Sequence, residues 1–272
     1  MRLEGRRVLV TGATGGIGNA IACRLATRGC RMVLTGRRRE GLTELVDALG
    51  PPARGVVADL TESDDVLALL EDAGQIDVLV TSAGVGPVEG LAEISRDALE
   101  EAVRINLLAP AELARAVVPA MRRRGSGHIV FVCSVAGFVA TSANSPVYTA
   151  TKWGLRGLGL ALRQELHRDG IGVSTVFPGP IRDVGMSVQL GVPLPRRIAT
   201  NSADEVAAAV ERAVERNRAE TTVAGSGVRL AGLIGRLAPV LVGDAARVAG
   251  AERFRRTVLD VREHGGVATT NR

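Results

Sequence analysis

The sequence predicts an α/β protein built on a doubly wound parallel sheet of about seven strands flanked by helices, in a single domain. Three observations predict it. Short aliphatic runs alternate with helical segments at near-regular spacing through the first 84 residues, the pattern of right-handed βαβ units. A glycine-rich loop follows the first run directly. Of the 272 residues 46% are hydrophobic but only 2% aromatic, so the core must be Val, Leu, Ile and Ala, which suits strands buried on both faces.

Each element has its own signal. "RRVLVTG" (Arg6 to Gly12) is an aliphatic run closed by glycine, and Ile17, Ala20, Ile21 and Leu25 then fall on one helical stripe. "RMVLTG" is the second strand, and "GLTELVDALG" a helix stopped by Gly50 and a proline pair. "RGVVADL" is the third strand. "ESDDVLALLEDAG" is a helix with acids in its first turn, where the dipole favours them. "IDVLVTSAG" is the fourth strand. A long helix is expected from about Arg96 to Arg124, broken near Pro110. "GHIVFVCS" is the fifth strand, "VYTATKWGLRGLGLALRQELH" a helix, and "IGVSTVFPG" the sixth strand. "SADEVAAAVERAVERN" is a helix with Ser202 as N-cap and Glu205 at the capping-box position, and "ETTVAG" is the seventh strand.

Composition narrows the function classes. The net charge is +5, but the arginines are dispersed among 29 acids and few aromatics exist for base stacking, so a nucleic-acid partner is not expected. Cys23, Cys30 and Cys133 lack metal-type spacing and read as buried thiols of a reducing compartment. The chain opens on an aliphatic strand without a signal-peptide layout, and Ile129 to Ala140 is too short to span a bilayer. A cytoplasmic protein is the expectation.

"TGATGGIG" (Thr11 to Gly18) lies where a first strand turns into a first helix. Backbone N–H groups and a helix N-terminus can approach a pyrophosphate closely there, so Gly12, Thr14, Gly16, Ile17 and Gly18 are expected to face a dinucleotide. At the end of the second strand an acid would hydrogen-bond the ribose 2′-OH of NAD, whereas arginine suits the 2′-phosphate of NADP. The chain reads "LTGRRR": Gly36 stands at the acid's place, and Arg37 and Arg38 follow. NADP(H) is therefore expected, with NAD(H) as the alternative. The competing reading is that these arginines only begin the second helix in solvent.

"VYTATKWGL" holds the only tyrosine, Tyr148, and the only lysine, Lys152, one helical turn apart on one face. A phenol near pKa 10 is too weak an acid for neutral-pH chemistry, and a neighbouring ammonium favours the phenolate. Ser134 ends the fifth strand, near the crevice where such sheets bind ligands, and its hydroxyl can hold a substrate oxygen beside the phenol. The set reads as a general acid–base site for a carbonyl or alcohol oxygen.

With these motifs in order, residues 5 to 225 resemble the short-chain dehydrogenase/reductase (SDR) family, whose sheet is Rossmann-like. The carriers are "TGATGGIG", "ADL" at Ala58 to Leu60, "SAG" at Ser82 to Gly84, "RINLL" around Asn106, "CSVAG", "YTATK" and "FPGPI". The resemblance implies Tyr148 as catalytic acid/base, and Lys152 lowering its pKa and binding the nicotinamide ribose. It implies Ser134 positioning the substrate, and Asn106 holding a relay water that leads to Lys152. It places Asp59 and Leu60 near the adenine, Ala83 and Gly84 along the cofactor, and Pro178, Gly179 and Ile181 near the nicotinamide. It also implies a homodimer or homotetramer. Two positions depart from the pattern. Thr81 and Ser82 replace two asparagines after the fourth strand, with hydroxyls expected to supply part of the lost hydrogen bonding. Asp183 stands where a threonine usually meets the nicotinamide amide.

Asp183 to Arg197 corresponds to a substrate loop, and its Met186, Val188, Leu190, Val192 and Leu194 imply an apolar substrate. Residues 1–225 are expected to form the cofactor-binding and catalytic domain, with 226–262 a helical extension packed on it and 263–272 a disordered tail. The apolar stretch "LAGLIGRLAPVLV" within the extension leaves three alternatives to simple packing: a lid, a dimer face or a peripheral membrane contact. The expected activity is hydride transfer between NADP(H) and an apolar ketone or secondary alcohol. The alternative is a catalytically silent cofactor-binding regulator or scaffold of the same fold.

Overall fold

The computed structural model describes residues 1–141, 145–182, 184 and 199–265. Seven strands form one parallel sheet in the order β3-β2-β1-β4-β5-β6-β7. They are β1 (Arg7–Thr11), β2 (Arg31–Gly36), β3 (Arg54–Val57), β4 (Val78–Thr81), β5 (Gly127–Val132), β6 (Ile171–Pro178) and β7 (Glu220–Val223). The chain winds outward from β1 in one direction and returns through β4 in the other. The topological switch point therefore lies between β1 and β4, the place where open α/β sheets bind ligands.

Strand periodicity sorts the core into two layers. Val8 and Val10 point to one face with Ile21, Leu25 and Val210, while Leu9 points to the other with Leu79, Leu113, Ile129 and Phe131. On the first face lie α1 (Gly16–Thr27), α2 (Arg39–Leu49) and α7 (Ala203–Arg216). On the second lie α3 (Ser63–Ala73), α5 (Ala109–Arg124) and α6 (Pro146–Glu165). The predicted capping box at α7 is complete: Glu205 N–H donates to Ser202 Oγ (3.2 Å), and Ser202 N–H to the Glu205 carboxylate (2.7 Å).

The expected long helix from Arg96 to Arg124 is three segments: α4 (Arg96–Val103), a π-turn over Arg104–Leu108, and α5. Pro110 explains why the α-ladder fails here. It has no N–H to give to the Asn106 carbonyl four residues back, and the Ala109 N–H reaches instead to the Arg104 carbonyl. The break thus precedes Pro110 and encloses Asn106.

Three helices follow β7: α8 (Ser226–Leu237), α9 (Pro239–Val248) and α10 (Ala251–Gly265). The last runs three residues into the stretch expected to be tail. α8 packs by its backbone, since a β-carbon on Gly232 would lie 2.4 Å from the Phe138 ring, and one on Gly235 2.9 Å from the Phe138 carbonyl. Among the described residues no helix is long and apolar enough to cross a membrane.

Candidate active site

The carboxyl ends of the central strands carry a row of threonines in register: Thr11 lies between Thr35 on β2 and Thr81 on β4. The Thr11 hydroxyl accepts hydrogen bonds from the backbone N–H groups of Ser82 and Ala83, both at 3.1 Å. This corrects the expectation for the two replaced asparagines. Among the described residues neither Thr81 Oγ1 nor Ser82 Oγ has a partner, and Thr11 ties down the β4 loop in their stead.

The glycine loop owes its composition to close backbone approaches. Gly12 has φ +64°, and a β-carbon there would lie 2.8 Å from Ala83 Cα. One on Gly18 would lie 2.2 Å from the Gly12 carbonyl oxygen. Gly16 faces Val184, whose Cβ would be 2.2 Å from a β-carbon at that position. Gly15 caps α1 without a side chain, so no residue of the loop competes for the first-turn N–H groups. Ala13 and the half-buried Thr14 complete the turn, and Ile17 packs partly on the first-face core. This cradle fits a pyrophosphate.

At the adenosine end, Gly36 is excluded from carrying an acid by Thr14, whose Oγ1 would lie 2.9 Å from a β-carbon at 36. Arg38 precedes α2 and donates to the Thr14 carbonyl at 3.4 Å, so it sits against the glycine loop. Arg37 reaches Glu101 of α4 at 3.6 Å, a pair with no signal in the sequence. The Asp59 carboxylate accepts from Thr61 N–H and Oγ1, both at 2.9 Å. Partial burial alone would raise its pKa, but these hydrogen bonds, with the charge of Arg37, bring it below the usual carboxylate value. Leu60 beside it is buried.

The four expected catalytic positions converge. Asn106 is fully buried: its Oδ1 accepts from Val85 N–H (3.0 Å), and its Nδ2 donates to the Val85 carbonyl (2.8 Å) and to Thr151 Oγ1 (3.2 Å). Thr151 in turn donates to the Tyr148 carbonyl at 2.8 Å. Both amide hydrogens are thus committed to protein, and only Oδ1 keeps a lone pair for a relay water. That oxygen and Lys152 Nζ border one point beside Gly84, lying 3.1 and 3.4 Å from where its β-carbon would be. A side chain at 84 would crowd both. Thr151 went unnoticed in the sequence, although its place three residues after Tyr148 puts it on the same helical face.

Ser134 is extended (φ −169°) at the end of β5, and its Oγ accepts from Ala136 N–H at 3.2 Å. Its hydroxyl also acts on the Tyr148 phenol, favouring the ionised form. Lys152 Nζ lies 5.5 Å from the centroid of the Tyr148 ring. Burial pushes the phenol up to about 12, and the Ser134 hydroxyl opposes only part of that rise. Burial also lowers the pKa of Lys152. In the protein alone the direction of the tyrosine's shift is set by its own desolvation, with no contribution from Lys152 among its causes. Cys133 donates to the Lys152 carbonyl at 3.3 Å, and burial raises its thiol to about 11, which keeps it neutral. Gly179 N–H donates to the Val223 carbonyl (2.8 Å), and Ile181 bridges to Asn201, so Pro178 to Ile181 continue from β6 at the edge of the crevice. Asp183 and Met186 lie outside the described residues.

The family profile described as short chain dehydrogenase matches residues 6–191. The chain belongs to the short-chain dehydrogenase family. It is 36% identical over 228 residues to the ketoacyl reductase HetN of Nostoc sp., covering 81% of this chain and 79% of that one. It is 33% identical to the 3-oxoacyl-(acyl-carrier-protein) reductase FabG of Salmonella typhimurium over 183 residues, 66% of this chain and 75% of that one. Among solved structures, a short-chain dehydrogenase from Sphingobium yanoikuyae in complex with NADPH superposes with a TM-score of 0.76 at 29% identity, covering 87% of this chain and 94% of the other. This short-chain dehydrogenase is thus an oxidoreductase of the CH–OH/carbonyl type that uses a nicotinamide cofactor.

Proposed function

We propose that the protein is an NADP(H)-dependent reductase of apolar ketones, with Tyr148 as the proton donor. The observation that carries this reading is the buried Tyr148 phenol, set beside the buried Lys152 and influenced by the Ser134 hydroxyl. The glycine cradle from Gly12 to Gly18 would hold the pyrophosphate, and Arg37 and Arg38 the 2′-phosphate. Asp59 and Leu60 would lie by the adenine, Ala83 and Gly84 along the cofactor, and Pro178 to Ile181 with Asp183 by the nicotinamide. Bound NADPH supplies the hydride.

Ser134 Oγ orients the substrate oxygen. As negative charge develops there, Tyr148 gives up its phenolic proton, and the Lys152 ammonium stabilises the phenolate that remains. A phenol pushed up to about 12 stays protonated at neutral pH, so it stands ready to give a proton to a carbonyl oxygen. The apolar residues of the substrate loop, Met186 among them, suit a hydrophobic substrate. The Nostoc and Salmonella relatives are named as reductases of ketoacyl compounds, which agrees with this direction. A homodimer or homotetramer is the expected assembly.

Tyr148→Phe tests the reading. With NADPH and a panel of hydrophobic ketones, the variant should lose roughly 10²- to 10⁴-fold in turnover while binding NADPH as the parent does. Undiminished turnover would remove Tyr148 from the chemistry.

A further inference from the structure

The helices that follow β7 carry a feature that catalysis does not use. Seven of the fourteen exposed large apolar residues described in the chain lie on α8 and α9. On α8, Leu230, Leu233, Ile234 and Leu237 recur at three- and four-residue spacing and form one outward stripe. Ala231, Gly232 and Gly235 lie on the opposite face, against the body of the protein. Leu237, at the turn into α9, is the most exposed of the fourteen at 91%. Val240 and Leu241 continue the apolar surface onto the first turn of α9, at 72% and 66%, and Val248 extends it. Singly exposed leucines are ordinary, but a continuous stripe of this kind marks an interaction surface.

Charge indicates the partner. α8 contains arginine but no acid. Arg229 is exposed, stands one helical turn before Leu233, and forms no ion pair among the described residues. On α9 the acid, Asp244, is already paired with Arg247 at 3.0 Å. Residues 226–265 together hold seven arginines against four acids. A second copy would bring the same arginine excess to the other side of the contact, an unfavourable match of charge. An apolar ridge that protrudes at Leu237 and is bordered by arginine complements an anionic bilayer, with the leucines among the acyl chains and the guanidinium groups at phosphate level.

We propose that the α8–α9 face docks this protein on the surface of anionic membranes. The inner face of α8 rests on Phe138, four residues beyond Ser134, so the docking helix packs on the loop that carries the candidate catalytic serine. A hydrophobic substrate would then pass from the bilayer to the site without crossing bulk water. The docking itself does not depend on the catalytic reading.

Co-sedimentation of the full chain with vesicles decides it. The protein should pellet with phosphatidylglycerol-containing vesicles, less with pure phosphatidylcholine, and less again at high salt. L233D/L237D should lower the partition at least about tenfold with its thermal midpoint unchanged, and Arg229→Glu should weaken binding to the anionic vesicles selectively. Failure to pellet with either vesicle would overturn the proposal, as would binding that survives L233D/L237D. A parent that ignores vesicles but loses a self-assembled form on L233D/L237D would assign the face to a second copy instead.

Discussion

The proposed preference for NADP(H) turns on a single missing carboxylate. Gly36 leaves room only for Thr14, so no acid can meet a ribose 2′-OH from the end of β2. Arg38 is held against the loop through the Thr14 carbonyl, and Arg37 is engaged with Glu101 at the surface, an exposed pair that releases its guanidinium at little cost. Two charge-assisted contacts to a 2′-phosphate would contribute about 1.5–3 kcal/mol each. R37A/R38A should therefore weaken NADPH binding by roughly 10²- to 10⁴-fold while leaving NADH affinity nearly unchanged. Calorimetric titration with both cofactors checks this, and equal losses for the two would assign the arginines a structural role. The arginines and the missing acid are plain in the sequence. Glu101 is not, because nothing in a one-dimensional pattern brings α4 to the end of β2.

Between elements, the strongest polar tie joins α1 to α7. Glu211 is 7% exposed, and its carboxylate accepts from Arg24 Nε and pairs with Arg28 Nε at 2.9 Å. Both helices cover the first-face core, and Ala207, Val210 and Val214 of α7 share it with Ile21 and Leu25 of α1. Glu211→Gln leaves two guanidinium groups without their shared anion. Because the arginine side chains are 32% and 48% exposed, solvent recovers part of the loss. A loss of about 1–2 kcal/mol is expected, read as a lower urea midpoint at constant slope. Elements whose signals are local were legible beforehand: the capping box at Ser202, the helix that begins at Pro146, the seven aliphatic runs. The π-turn over Arg104–Leu108 was not. Pro110 announced a break, but the position of the break is set by which carbonyl the next available N–H can reach. The same limit applies to the site. Tyr148, Lys152 and Ser134 could be read from residue types and spacing. Thr11 as the clasp of the β4 loop could not, since its partners come from a strand 70 residues away.

Across the whole molecule, stability should carry an asymmetric dependence on pH, and the group that sets its acid side is His128. It sits inside the sheet on β5, its Nε2 2.9 Å from Ser174 Oγ on β6, and a β-carbon on Gly172 would fall 2.3 Å from its Nδ1. Among the described residues no carboxylate contributes to its shift. Burial is the largest cause of a pKa lowered to about 3, with the positive charges of the N-terminal amine and of Arg163 acting in the same direction. The unfolded chain binds this proton below about pH 6.5, whereas the folded chain resists it until about pH 3. The contribution is thus fully present above 6.5 and is lost as pH falls between those values, by about 1.4 kcal/mol per unit. Above pH 9 the sign reverses. Burial raises the thiols of Cys30 and Cys133 to about 11, so the unfolded state ionises first and stability declines, while Lys152, lowered by burial, acts in opposition. Urea midpoints taken from pH 7 down to pH 4 should fall steeply in the parent. In His128→Gln, which keeps a polar contact for Ser174 but has no titrating ring, the parent should lose its advantage as the pH drops and the curve should flatten. Parallel slopes for the two proteins would mean that acid unfolding is governed by the carboxylates instead.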